Sequence, residues 1–193
     1  MDLSGKILIA MPGLGDPRFA QSVILICAHS ADGAMGLIVN KPTDGLSFSR
    51  LLDHLEIAAG SADQSHIRVH IGGPVERGRG FVLHSPDWWA VGGSDAPDGG
   101  ATLSVPGGYG MTATLDILNA MAAGRGPSLA LLALGYSGWG PGQLESEIGR
   151  NDWLTADAPE DVLFAEDDAG KWMRALRHMG INPLTLSTIS GRA

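Results

Sequence analysis

The chain has one cysteine, Cys27, among its 193 residues. That excludes an intrachain disulfide and any zinc site built on cysteine. Basic side chains are also scarce: 13 Lys and Arg stand against 21 Asp and Glu, a formal net charge of −8. Nucleic-acid backbones are bound by neutralising phosphates, so this balance argues against a nucleic-acid surface. The one local basic group, Arg68, Arg77 and Arg79, is interrupted by Glu76 and reads as a solvated loop. Long apolar runs are missing too. The opening MDLSGKILIAMPG carries only Ile7 to Met11, too short for the core of a signal peptide, and no later run could span a bilayer. A cytoplasmic protein with no membrane partner is the expectation.

What is present suffices for a buried core. Hydrophobic residues make up 44% of the chain, and its length suits a single domain over residues 1–193. Glycine is common but scattered at turns, as in a fold with many tight reversals. Lys6 to Ala10 reads as a strand, and Asp16-Pro17-Arg18-Phe19 as a capped helical turn. Ser22 to Ser30 and Ala34 to Asn40 are apolar β-rich runs around Asp32-Gly33, the signature of a two-residue hairpin turn. That turn would set His29 opposite Gly36 and Cys27 opposite Ile38. Phe48, Leu51, Leu52 and Leu55 recur at helical spacing, as do Leu115, Leu118, Met121 and Ala122, and later Trp172, Leu176 and Met179. Ile67, Val69 and Ile71 alternate with His66, Arg68 and His70 as a half-buried strand, which should pair antiparallel with Gly80 to His84. Ala101 to Val105 is a short strand and Ser128 to Leu134 a buried one. Hairpins and helices without a regular βαβ alternation give an α+β domain with a mainly antiparallel sheet.

The segment LALGYSGWGPGQLESEIGRNDWL resembles several sites and fits none of them closely. A hydrolase elbow needs glycine two residues after the serine, and Trp139 stands there instead. A dinucleotide fingerprint fails at Gln143, and a phosphate loop lacks its lysine. The segment reads as a turn that seats Trp139, with Pro141 opening a short helix. Glu145 and Glu147 suit the start of that helix and would repel an anion there. They lie two residues apart, on different helix faces, so they are poor partners for shared acid–base work. His66 and His70 suggest a metal site with His84. They are four apart on a strand, however, roughly 13 Å, too far to chelate as a pair, and read as a solvent-facing stripe. Cys27 and His29 share a strand face in this register. Cys27 reads as buried and structural, and His29 as a strand-end residue beside a possible cavity.

Four blocks carry a resemblance: GKILIAMPGLGDPRF, SVILICAHSADGAMGLIVNKP, IGGPVERGRGFVLH and LGYSGWGPGQLESEIGRNDWL. Together they span nearly the whole chain, and on them it resembles the bacterial YqgE/AlgH family. The resemblance implies a bifurcated, mainly antiparallel sheet folded into a pseudo-barrel and flanked by helices. It brings no established catalytic residues. One branch is named for a role in regulating alginate production, the origin of a loose transcriptional-regulator label. The motif residues here are Pro12, Asp16, Phe19, His29, Gly33, Gly36, Asn40, Pro42, Gly72, Gly73, Pro74, Trp139, Gln143, Glu145, Asn151 and Trp153.

The expected function is a binding module for an unidentified small molecule or protein partner, with no cofactor, no metal and no catalytic turnover. The candidate binding residues are Asp16, His29, Asn40, Gly72, Gly73, Trp139, Gln143, Glu145 and Asn151. The turn Gly138 to Gln143, the ends of the first hairpin and the Gly72-Gly73-Pro74 turn would meet at one concavity. A hydrolase or transferase using His29 as base with Asp16 or Glu145 is the alternative, and requires a carboxylate within hydrogen-bond reach of that imidazole. Direct DNA binding is disfavoured by the charge and the lack of a helix-turn-helix.

Overall fold

The computed structural model describes residues 2–60, 67–89, 102–183 and 186. Nine strands form one curled sheet: β1 (Lys6–Ala10), β2 (Val23–Ser30), β3 (Gly33–Ile38), β4 (Val69–Ile71), β5 (Val75–His84), β6 (Thr102–Val105), β7 (Tyr109–Thr112), β8 (Ala130–Trp139) and β9 (Trp153–Asp157). The helices are α1 (Phe48–His54), α2 (Leu115–Ala122), α3 (Gln143–Gly149), α4 (Glu160–Leu163) and α5 (Lys171–His178), and Pro17–Phe19 makes a single 3-10 turn. His66 and Ala101, both placed on strands by sequence pattern, lie outside the described residues.

The strand order is β6-β7-β5-β8-β3-β2-β1-β9, all antiparallel, with β4 added to β8 in parallel. β8 is where the sheet divides. One of its edges is taken by β5, while the other is shared end to end by β4 (Val69↔Leu132 to Ile71↔Leu134) and β3 (Gly36↔Ser137 to Ala34↔Trp139). The result is an α+β half-barrel, in agreement with the bifurcated sheet implied by the resemblance. Its inner face collects Ile9, Leu25, Leu37, Leu83, Leu131 and their neighbours, with Trp172 and Leu176 of α5 packed onto them. The outer face of one limb is covered around Leu144 of α3, that of the other around Phe48 of α1 and Ile117 of α2.

Several local expectations are corrected. β4 and β5 do not pair with each other; they flank β8 on opposite edges, so the chain between them must cross the β8 backbone. Gly72 and Gly73 make that crossing possible. A Cβ on Gly72 would collide with the Gly135 carbonyl, and one on Gly73 with the carbonyl of Tyr136. β8 also runs on through Gly135 to Trp139, leaving only 140–142 as the turn. The helix then starts at Gln143 behind a left-handed Gly142, and Pro141 lies outside it.

The first hairpin turns one residue earlier than its Asp-Gly suggests, pairing Ser30 with Gly33, and a bulge at Cys27 shifts it again. His29 therefore faces Ala34, and Gly36 faces Ile26. An extra residue in one strand reverses its in–out parity. Cys27 points into the inner core while His29 sits on the outer face with Ala34, so the two do not share a side. Burial pushes the Cys27 thiol up to about 12, the setting of an inert structural cysteine.

Candidate functional site

The turn after β8 is held by a chain of side-chain hydrogen bonds. Gly140 N–H donates to Gln143 Oε1 at 3.0 Å, and Gln143 Nε2 donates to Glu147 Oε1 at 2.9 Å. The other oxygen of that carboxylate, Oε2, accepts the indole N–H of Trp139 at 2.9 Å and of Trp153 at 2.8 Å. Gln143 and Glu147 are four apart on α3, one helical turn, which stacks them on one face. Trp153 reaches the same carboxylate because β9 returns along β1, pairing Trp153 with Ala10. The two indoles meet edge to face at 6.2 Å, and Phe19 stands edge-on to Trp153 at 5.7 Å.

Beside this network lies a cavity of about 340 Å³, lined by Asp16, Pro74, Trp139, Gln143, Glu147 and Trp153 among others. Asp16 caps the 3-10 turn and grips Arg18 through both oxygens. The Arg18 side chain, then its backbone N–H, hold the Asp16 carboxyl below its ordinary value. Arg150 pairs with Asp152 on the same wall at 3.0 Å. Apolar rings with a few fixed polar groups are the composition of a small-molecule site, and the volume sits near the lower end of the usual range of roughly 300–1,000 Å³.

His29 occupies a different position. Its side chain is 4% exposed; Nδ1 accepts from Leu3 N–H at 3.1 Å, and Nε2 lies 2.8 Å from Glu145 Oε1. With Nδ1 accepting, the ring proton belongs on Nε2, donated to Glu145. The carboxylate demanded by an enzyme reading is thus in reach, yet neither ring nitrogen is left to take a proton from a substrate. The Glu145 backbone N–H, followed by His29, keeps the Glu145 carboxyl below its ordinary value. His29 and Trp139 both border a second, larger cleft at the end of the half-barrel.

The remaining candidates serve the backbone. Asn40 accepts from Val23 N–H and donates to the Gln21 carbonyl, both at 2.8 Å, pinning the entry to β2. Asn151 adopts a left-handed φ of 61° and ends α3 through a bond to the Ile148 carbonyl. Gly72 and Gly73 carry the crossing over β8. Three of the nine candidates, Asp16, Trp139 and Gln143, therefore meet at the smaller cavity, together with Pro74. Asn40, Gly72, Gly73, Glu145 and Asn151 line neither that cavity nor the larger cleft.

Sequence reasoning missed the most heavily charged interior cluster. His70 is 4% exposed, so it is no solvent-facing stripe, and its Nε2 lies 2.9 Å from Asp168 Oδ1. The same oxygen meets Lys171 Nζ at 2.9 Å, and Oδ2 accepts from Arg68 at 3.0 Å. Lys171 completes its shell with the carbonyls of Val39 at 2.7 Å and Leu163 at 3.0 Å. His84 is likewise buried, between Thr112 and the Ser85 carbonyl. Among the described residues no group of His, Cys, Asp and Glu could hold a metal ion, and no helix is long and apolar enough to cross a membrane.

Comparison with known proteins adds a lineage to this geometry. The family model described as AlgH-like matches residues 7–184. A protein of Cereibacter sphaeroides called a UPF0301 protein is 62% identical over 193 residues, covering all of both chains. Another of that name from Ruegeria pomeroyi is 58% identical with the same coverage. The solution structure of the AlgH protein from Pseudomonas aeruginosa superposes with a TM-score of 0.77 at 38% identity, covering 100% of this chain and 97% of that one. A crystal structure from Corynebacterium diphtheriae shares the fold at a TM-score of 0.69 and 23% identity, covering 98% of this chain and 92% of that one.

Proposed function

The chain belongs to the AlgH-like family, and from that premise we propose that it is a cytoplasmic binding module with no catalytic turnover. It takes a small ligand, or a short segment of a protein partner, in the cavity beside Trp139, and any regulatory effect is indirect. The observation that carries this reading is the convergence of Asp16, Pro74, Trp139, Gln143 and Trp153, from distant parts of the chain, on one cavity of about 340 Å³. The rings are fixed by the Glu147 carboxylate, so the site is ordered before any ligand arrives. Preorganisation of that kind lowers the entropic cost of binding. The catalytic alternative is weakened by the full occupation of both His29 nitrogens. Direct DNA contact is weakened by the charge of −8 and by the pairing of Arg68 with the buried Asp168.

Two tryptophans in the cavity wall provide the readout. Emission is titrated with amino acids, nucleotides and sugars, alongside native mass spectrometry of the purified protein. At least one class should shift the emission saturably, and Leu14→Phe, which narrows the cavity from its wall without adding an indole, should weaken that shift without lowering the unfolding midpoint. Silence across the panel with no retained mass, or a response indifferent to Leu14→Phe, removes the reading.

A further inference from the structure

We propose that the open end of the half-barrel is a second binding site, selective for a carboxylate carried on an apolar acyl chain. α5 closes the barrel at the Val39 end, where Lys171 bonds the Val39 carbonyl. At the opposite end of β3, around Met35, a cleft of about 760 Å³ opens onto the inner face. Its walls include Met35, Phe81, Leu103, Met111 and Tyr136, with Phe81 and Tyr136 edge to face at 5.9 Å. Apolar surface left in contact with water favours an apolar occupant, by about 25 cal/mol for each Å² covered. Two unbranched methionine side chains let such a wall fit chains of varying shape.

The polar end is set by Arg79. β5 leaves the sheet after Val75, paired with Tyr136, and rejoins it at Gly80, paired with Leu134. The detour lifts Arg79 to the rim, where its guanidinium lies over the Phe81 ring at 5.1 Å. Among the described residues Arg79 is the only Lys or Arg lining the cleft. Its one ion pair among the described residues is with Glu76 at 3.3 Å, and both side chains are at least half exposed. Exposed pairs of this type contribute about 0–1 kcal/mol, so a ligand carboxylate competes readily for the guanidinium. His29 adds no positive charge with Nδ1 accepting from Leu3 N–H. Asp32, the one acid among the described lining residues, sits on the β2–β3 turn, across β8 from Arg79. Arg79 and Ala113 also border an apolar slot of about 240 Å³ between α1 and α2, walled by Leu51, Leu55 and Leu118. The guanidinium thus stands between the cleft and this apolar slot.

The cleft shares Trp139 with the cavity of the proposed function, but Met35 and Met111 border the cleft and not that cavity, so they report on it separately. Methyl-labelled methionine spectra of the full chain are recorded with decanoate, decanol and decylamine. Decanoate should shift the Met35 and Met111 methyls saturably, and bind at least ten-fold more tightly than decylamine. Arg79→Ala should weaken decanoate about ten-fold and leave decanol unchanged, and Met111→Trp should abolish both. Equal binding of decanoate and decylamine, or indifference to Arg79→Ala, overturns the carboxylate selectivity. Absence of decanoate binding, or shifts at Met121 and Met173 in place of the cleft methionines, overturns the site.

Discussion

Asp168 and Lys171 meet at 2.9 Å with side chains only 5% and 1% exposed, an ion pair enclosed between α5 and the sheet. Removing one member of a buried pair strands the other charge and costs about 3–5 kcal/mol. Asp168→Asn should therefore destabilise the protein by that order, because Lys171 then keeps two carbonyls but loses its carboxylate, read as a lower urea midpoint. The double variant Asp168→Asn with Lys171→Met should recover part of the loss, because no buried ammonium is left without a counter-charge. A double variant weaker than the sum of the two single losses would count against the pair as the source.

The same carboxylate sets an acid limit. Burial would raise the Asp168 carboxyl, but the hydrogen bonds and charges of His70 and Lys171 outweigh it and hold the group well below its ordinary value. Lys171 moves down as well: burial comes first, Asp168 opposes it, and Arg68 and Arg174 compete. One anion serves several cations, so the carboxylate gains more than any one of them. A depressed acid stabilises the fold above its unfolded-state value, and that contribution is lost as the pH falls through the folded one. Unfolding midpoints should therefore fall steeply for the wild type below about pH 4. The gap to Asp168→Asn should narrow over the same range.

Much of the architecture was legible because it rests on periodicity and turn chemistry. The helices around Phe48, Leu118 and Trp172 bury one stripe each, and the Asp16-Pro17 turn is capped as its residues demand. What escaped depends on contacts distant in sequence. No local pattern distinguishes a strand pair β4–β5 from two strands astride β8, or shows Asp168 folding back on His70 across 98 residues. The bulge at Cys27 reverses which residues share a face, and a strict alternation cannot anticipate it. Within the site, Asp16, Trp139 and Gln143 were visible as polar or aromatic residues at turns. Glu147 was not, because its role exists only once two tryptophans converge on it.

The crossing over β8 makes a sharp prediction for glycine. Gly73→Ala sets a methyl against the backbone at Tyr136, which cannot yield without moving β8. Overpacking of this kind costs about 1–3 kcal/mol, and a rigid backbone neighbour places it at the upper end. Gly78, in the β5 detour, has open space where its Cβ would lie, so Gly78→Ala should be near neutral. Equal denaturation midpoints for the two variants would remove the packing account of the Gly-Gly turn.

His29 links the N-terminal turn to α3 through Leu3 N–H and Glu145. His29→Ala removes the acceptor for a partly buried N–H, at about 1–3 kcal/mol. His29→Asn keeps an acceptor on a shorter side chain and should lose less. Amide exchange at Leu3 should quicken in the alanine variant, while binding at the Trp139 cavity persists. Unchanged Leu3 exchange would sink the anchoring role.

Glu147 has two oxygens with different duties, and substitutions should separate them. Glu147→Ala leaves two indole N–H groups without their acceptor, each unsatisfied group costing about 1–3 kcal/mol where water is excluded. Tryptophan emission should shift to the red as both rings loosen. Glu147→Gln behaves differently, because an amide offers one acceptor and one donor. If its oxygen keeps the indoles, its NH₂ faces the Gln143 amide nitrogen, so Gln143 must turn and release Gly140 N–H. The glutamine variant should therefore retain the native tryptophan spectrum and speed amide exchange at Gly140. A red-shifted spectrum with a protected Gly140 amide would instead place the strain on the rings, and the proposed ordering of the cavity by Glu147 would need revision.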